Sequence, residues 1–366
     1  MLRTALIGCS QVGKSTLFQL MTRAHEGARG GHGKPEAAIG LARVPDARLD
    51  VLTQMYKPRK RVPAVVEFAD FPGRGTLSGT EALLDVAAYR NADALVHVLR
   101  AFADPSIAHP AGSVDPRRDA RSMEDELILA DLAIVERRLD RLERDLKKMR
   151  NAELERERRV LVECRTLLEN GTPLRGLSLD GDDRKRLRGF QFLSAKPLLL
   201  VLNLDEADVA GGARALTAAV DRVGLDAVVP GPSVHTVAVC ARLELEIADL
   251  EPNDAAAFLA DLGLAESGLD RVIRASYELL GYLSFFTVGD DECRAWSIPQ
   301  GTSAQAAAGE IHTDLARGFI RAEVVPYDRL VARGSMQACK EHGEVRLEGK
   351  DYVVADGDVI TVRFAT

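Results

Sequence analysis

Gly8-Cys9-Ser10-Gln11-Val12-Gly13-Lys14-Ser15 is the stretch on which the fold turns. It meets the spacing G-x-x-x-x-G-K-[ST] at every fixed position. Each fixed residue has a physical reason. The glycines let the backbone curl until successive N–H groups point at one anion. The helix that starts near Ser15 adds the positive end of its dipole. Lys14 supplies a full positive charge, and the Ser15 hydroxyl is a hard oxygen donor. A strand-like run precedes the motif, and a helix carrying Leu17, Phe18, Leu20 and Met21 follows it. Strand, glycine-rich turn and helix in that order imply a cradle for phosphates.

Further continuous apolar runs lie outward from the loop. Residues 4–7, 65–68, 94–99 and 198–202 read as buried parallel strands, and 234–239 as a fifth. Their runs do not alternate, as expected where helices cover both faces of a sheet. Helical stretches at 15–23 and 81–90 lie between them. This alternation predicts an α/β, doubly wound sheet with its ligand at the C-terminal strand ends. Asp70-Phe71-Pro72-Gly73 follows the second run and fits D-x-x-G. In that position Asp70 reaches a Mg²⁺ ion, which Ser15 also binds, and the Gly73 amide senses the γ-phosphate. Asn203-Leu204-Asp205-Glu206 follows the fourth run, where guanine-binding proteins carry N-K-x-D. Glu206 is one methylene longer than that Asp, which weakens selection for guanine. The candidate nucleotide-binding residues are therefore Ser10, Gln11, Val12, Gly13, Lys14, Ser15, Thr16, Asn203 and Glu206. Ser15 and Asp70 are the metal candidates, and Lys14 and Gly73 the catalytic ones.

Between the third and fourth runs, Ile128, Leu132, Val135, Leu139, Leu142, Leu146 and Met149 recur alternately four and three apart. That heptad seam predicts a long helix, with Ser122 and Asp125 capping its start. A second arm carries Leu154, Leu161 and Leu168 and stops near Asn170-Gly171. Together they predict an antiparallel, coiled-coil-like hairpin inserted at about 118–175. It either packs on its own body or reaches for a partner. After residue 280 the pattern becomes a small α+β module. It has alternating strands at 352–354 and 359–364 around the turn Asp356-Gly357-Asp358, and one helix over 303–315. The expected division is 1–280 and 281–366.

Net charge is −7, with 46% apolar and 28% charged residues. An acidic chain lacks the charge excess that drives broad polyanion binding, so DNA is not an expected partner. The five cysteines have no C-x-x-C spacing, which argues against a zinc knuckle or a disulfide framework. The apolar runs are far below the roughly 20 residues of a membrane helix, and residue 1 leads directly into a strand. The expected location is the cytoplasm, with no membrane partner.

These residues together resemble the YchF subfamily of Obg-related P-loop ATPases, over nearly the whole chain. Val44-Pro45-Asp46, Arg48-Leu49, Lys57-Pro58, the run A-L-V-H-V-L-R at 94–100 and E-L-I-L-A-D-L at 126–132 carry the likeness. Asn203 to Glu206 is similar to the family's N-x-x-E signature, which goes with ATP over GTP. Ser284-Phe285-Phe286-Thr287, Arg294-Ala295-Trp296, Ile311-His312-Thr313-Asp314, the stretch 318–324 and Glu348-Gly349-Lys350-Asp351-Tyr352 resemble its C-terminal TGS domain, a β-grasp module. The resemblance implies a slow, Mg²⁺-dependent ATPase that associates with the ribosome or another translation component.

Several positions depart from the family. No threonine lies between Thr22 and Thr53, where the first switch is expected. Arg74 follows Gly73, and 75–80 lacks the family's G-x-G-L-G-N run. These changes leave open a second reading, a nucleotide-sensing protein that hydrolyses little or nothing. A third, RNA binding by the C-terminal module alone, is disfavoured by its nine Lys and Arg against thirteen Asp and Glu. Within the sheet, His97 reads as a core histidine rather than a base. Cys9, beside a helix N-terminus, reads as a thiol with a lowered pKa.

Overall fold

The computed structural model describes residues 2–22, 38–71, 87–149 and 151–365 of the 366-residue chain. It divides into two compact units, Met1–Gly40 with Glu67–Leu279, and Leu41–Val66 with Leu280–Thr366. The second unit begins its C-terminal part at Leu280. However, residues 41–66 join the C-terminal unit, which a boundary drawn along the sequence does not provide for.

The first unit is built on a sheet whose strands are β1 (Arg3–Ile7), β2 (Ala38–Arg43), β4 (Val65–Asp70), β5 (Ala94–Arg100), β6 (Leu198–Asn203) and β7 (Val234–Val239). They lie in the order β2-β4-β1-β5-β6-β7. β1 is parallel to both β4 and β5, and β5, β6 and β7 are parallel in turn. Every residue of β5 and of β6 is buried, which is why these strands read as unbroken apolar runs. The strand order runs outward in opposite directions from β1. The crevice beyond its C-terminal end is where such sheets hold ligands. Of the helix expected at 81–90, residues 81–86 lie outside the described residues, and Ala87–Asn91 forms a single 3-10 turn.

The hairpin consists of α3 (Pro116–Lys148) and α4 (Ala152–Glu169). Ile128, Val135, Leu139 and Leu142 bury against Val160, Leu161, Cys164 and Leu168, closing a small core that also takes in Leu174, Leu187 and Phe192. Two details differ from the sequence reading. The cap is Asp115, whose carboxylate accepts from Arg117 N and Arg118 N ahead of Pro116, so Ser122 lies inside the helix. Met149 is the C-cap and is 62% exposed, so the seam stops at Leu146. The second arm is capped by Asn151 and ends at Asn170, with Gly171 at φ +68° making the left-handed exit. At the root of the hairpin, the buried Asp131 carboxylate accepts from Leu193 N, Ser194 N, Ser194 Oγ and Arg90 Nη1. Nearby, the buried Arg175 and Glu124 form a two-pronged pair.

The second unit is a six-stranded sheet made of β3 (Lys60–Val62), β8 (Tyr282–Thr287), β9 (Glu292–Pro299), β10 (Phe319–Pro326), β11 (Arg346–Glu348) and β12 (Asp358–Phe364), in the order β11-β10-β12-β8-β9-β3. Phe285, Ile298, Ala307, Ala322, Val324 and Ile360 centre its core. β3 adds in parallel to β9, and Arg48, on α2 (Ala47–Tyr56), bonds Asp46 and Asp356 together. The expected strand at 352–354 is reduced to one isolated bridge between Ser303 and Val353. Val353 is 56% exposed, and among the described residues its one bridge partner is Ser303. The helix expected over 303–315 is two, Ala304–Ile311 and Thr313–Arg317, broken at the extended His312 whose Nδ1 accepts from Asp314 N.

Candidate functional site at the end of β1

The loop leaving β1 is curled as its sequence requires. Gly8, Gln11 and Gly13 have φ of +141°, +62° and +92°. A Cβ on Gly8 would stand 2.5 Å from Val98 O, and one on Gly13 2.4 Å from Asn203 Nδ2. Both positions therefore demand glycine on conformation and on space. Helix α1 (Lys14–Thr22) starts at once, burying Leu17, Phe18, Leu20 and Met21 and leaving Ser15 exposed.

Lys14 is 5% exposed. The register that pairs Leu6 with Asp70 brings the end of β4 beside the loop. Lys14 Nζ accordingly lies 3.2 Å from Asp70 Oδ1 and donates to Phe71 O. The sequence reading had given Lys14 to phosphate and Asp70 to metal as separate groups; here each is the other's counter-charge. A buried ammonium needs an anion, and the nearest is this carboxylate. Asp70 Oδ1 is buried and, although close to the ammonium, accepts no well-directed hydrogen bond. Its free lone pairs and the exposed Ser15 hydroxyl are all-oxygen donors. They suit a hard cation such as Mg²⁺, which keeps most of its waters. Gly73, Arg74 and the stretch 75–80 lie outside the described residues, as do residues 29–37 of the first-switch region.

Beside the loop opens a cavity of about 590 Å³ with Gln11, Gly13 and Thr16 on one side and Asp205, Glu206 and Arg242 on the other. Asn203 joins the two sides. Its Nδ2 donates to Val12 O at 2.9 Å, and its Oδ1 accepts from Ala241 N at 3.0 Å. Each amide atom thus holds one backbone group, so Asn203 fixes the shape of the cavity and keeps the second N–H of Nδ2 and the second lone pair of Oδ1. Glu206 begins a 3-10 turn and sets its carboxylate 2.6 Å from Arg242 Nε.

One organising residue escaped the sequence reading. Arg100 ends β5 at 2% exposure, and its guanidinium donates to the carbonyls of Phe102, Asp104 and Ile107 while lying 4.6 Å from the Phe102 ring centre. Those three residues line the cavity. An arginine closing an otherwise apolar strand was the available signal, since a buried guanidinium needs several acceptors. His97 is a core residue as expected; burial pushes its pKa down to about 3, which keeps it neutral. Cys9 goes the other way from expectation. Burial, with the nearby Asp119 and Glu126 carboxylates, raises its thiol pKa, outweighing the lowering by Arg118 and by a backbone hydrogen bond.

Residues 282–365 match the family model YchF-GTPase_C, described as a protein of unknown function. A Bacillus subtilis protein named ribosome-binding ATPase YchF is 40% identical over 99% of both chains. The chain belongs to the YchF family. A rice protein named Obg-like ATPase 1 is 36% identical, over 99% of this chain and 92% of its own. The solved structure of the Schizosaccharomyces pombe YchF GTPase superposes with a TM-score of 0.84 at 27% identity, covering 99% of this chain and 97% of that one. The two-unit arrangement of strands and helices described above is therefore the YchF fold. No helix among the described residues is long and apolar enough to cross a membrane.

Proposed function

We propose that this YchF-family chain is a Mg²⁺-dependent nucleoside triphosphatase that takes ATP ahead of GTP and acts as a switch on the ribosome. The observation that carries the reading is the curled loop Gly8–Ser15, with a lysine and an aspartate meeting at the ends of β1 and β4. Its bacterial relative is named a ribosome-binding ATPase and its rice relative an ATPase. The backbone amides from Ser10 to Thr16 hold the phosphates. When they arrive, Lys14 exchanges Asp70 for the β and γ oxygens, so the ammonium never loses a counter-charge. Ser15 Oγ and, through water, Asp70 would hold Mg²⁺, which screens the phosphate charge and fixes the geometry of the oxygens. Freed from Lys14, Asp70 gains that role in the same event. The Gly73 amide orients the attacking water. Glu206 faces the exocyclic amino group of adenine as an acceptor.

Phosphate release from ATP and from GTP, with Mg²⁺ and with or without ribosomes, tests this. The wild-type chain should release phosphate, faster from ATP, and Lys14→Ala should abolish release. Tight binding without release would favour the nucleotide-sensing reading that Arg74 and the missing switch threonine motivate. No binding at all would end both.

A further inference from the structure

The cavity beside the loop is unevenly charged. Asp104, Asp205 and Glu206 line it, and among the described residues Arg242 is the one cation that does. Arg242 Nε stands 2.6 Å from Glu206 Oε1 as an ion pair, although that oxygen accepts no well-directed hydrogen bond. Arg242 is 79% exposed and sits in the first turn of α7 (Ala241–Ala248), the end of a helix where a cation is disfavoured. The local helix therefore gives no reason for an arginine there, and an exposed ion pair contributes little to folding. Other polar side chains nearby already hold partners: Asn203 holds Val12 O and Ala241 N, and Asp104 Oδ1 holds Ser106 N and Oγ.

On the reading that a purine nucleotide occupies this cavity, we infer that Arg242 is a second specificity-determining residue, the donor that admits a purine bearing an acceptor at position 6. Adenine and guanine differ there by an amino donor against a carbonyl acceptor. The Glu206 carboxylate favours the donor and repels the acceptor. A guanidinium has five donors, and four of them lie on the two Nη nitrogens, away from the Nε that stands beside Glu206. The Nη groups can reach O6 and N7 of guanine, the atoms that arginine pairs with elsewhere. Glu206 and Arg242 thus set opposite ends of one balance, and the held pair lets the cavity take either base. Asp205 and Asp104 act on both nucleotides alike, because neither is paired across the cavity with a donor.

The test is calorimetric titration of the full-length chain with ATP and with GTP, each with Mg²⁺, for wild type, Arg242→Ala and Arg242→Lys. A lost hydrogen bond to a charged donor is expected to weaken GTP about tenfold in the alanine variant and to move ATP by less than about twofold. Lysine, a donor without the fork, should fall between. Equal losses for both nucleotides, or no change in either, would overturn the inference and leave the wider functional reading standing. Wild-type protein that binds neither nucleotide would overturn both.

Discussion

Asn203→Ala is the substitution whose effect can be worked most closely from the structure. Asn203 is 3% exposed, and its amide bridges Val12 O at 2.9 Å and Ala241 N at 3.0 Å. Alanine leaves both backbone groups buried without partners. Each orphan costs about 1–3 kcal/mol, so the pair costs roughly 2–5 kcal/mol once some water enters from the cavity. Asn203→Asp is the sharper control. It keeps an oxygen for Ala241 N but turns a carboxylate toward Val12 O, replacing a donor with a like-charged clash. It should therefore destabilise at least as much as alanine, although it is nearly the same size. Urea unfolding followed by far-UV circular dichroism reads both, and a loss of this size lowers the midpoint by about 1 M or more. Because the same bond holds the loop in its curled form, nucleotide affinity should fall in parallel. An alanine variant within about 0.5 kcal/mol of wild type, or an aspartate variant that matches it, would refute the bridge as a structural element.

Two other sites make independent predictions. His97 titrates near 3 in the fold against 6.5 unperturbed. The unfolded chain therefore binds the extra proton first, and His97 costs stability progressively as pH falls from about 6.5 to 3. His97→Gln should flatten the decline measured by denaturation at pH 7 and pH 4.5; an unchanged slope would contradict the burial. Asp131→Ala removes a fully buried carboxylate that satisfies Leu193 N, Ser194 N and Arg90 together. It should cost about 3–5 kcal/mol, seen as a large drop in melting temperature, whereas a drop of a degree or two would show the hairpin root is held by other contacts.

Much of this was legible in the sequence because each signal was local. Continuous apolar runs located β1, β4, β5, β6 and β7, most clearly β5 and β6, since a strand covered on both faces has no polar side to interrupt it. The phosphate loop was legible for the same reason, as its glycines answer first to their own positive φ, although the atoms that crowd them, Val98 O and Asn203 Nδ2, are far along the chain. What escaped reading depended on contacts far along the chain. Nothing local in 60–62 says that Lys60 will pair with Glu292 in the second sheet. Nor does 352–354 announce that it lacks a partner strand, because alternation records a preference and not a neighbour. The meeting of Lys14 with Asp70 follows from the register of β1 on β4, which no motif encodes. Arg100 was not legible because its acceptors, the carbonyls of Phe102, Asp104 and Ile107, are set by the path of the loop and not by residue type. Asp115 lost the cap assignment to Ser122 because a heptad seam shows where a helix is amphipathic and not where it starts.

Amide hydrogen exchange across residues 8–16, with and without saturating ATP and Mg²⁺, bears most directly on the central claim. Nucleotide should slow exchange at those backbone amides in the wild-type chain, and Lys14→Ala should abolish the effect at the same ATP concentration. Protection that appears elsewhere while residues 8–16 remain unchanged would contradict the account.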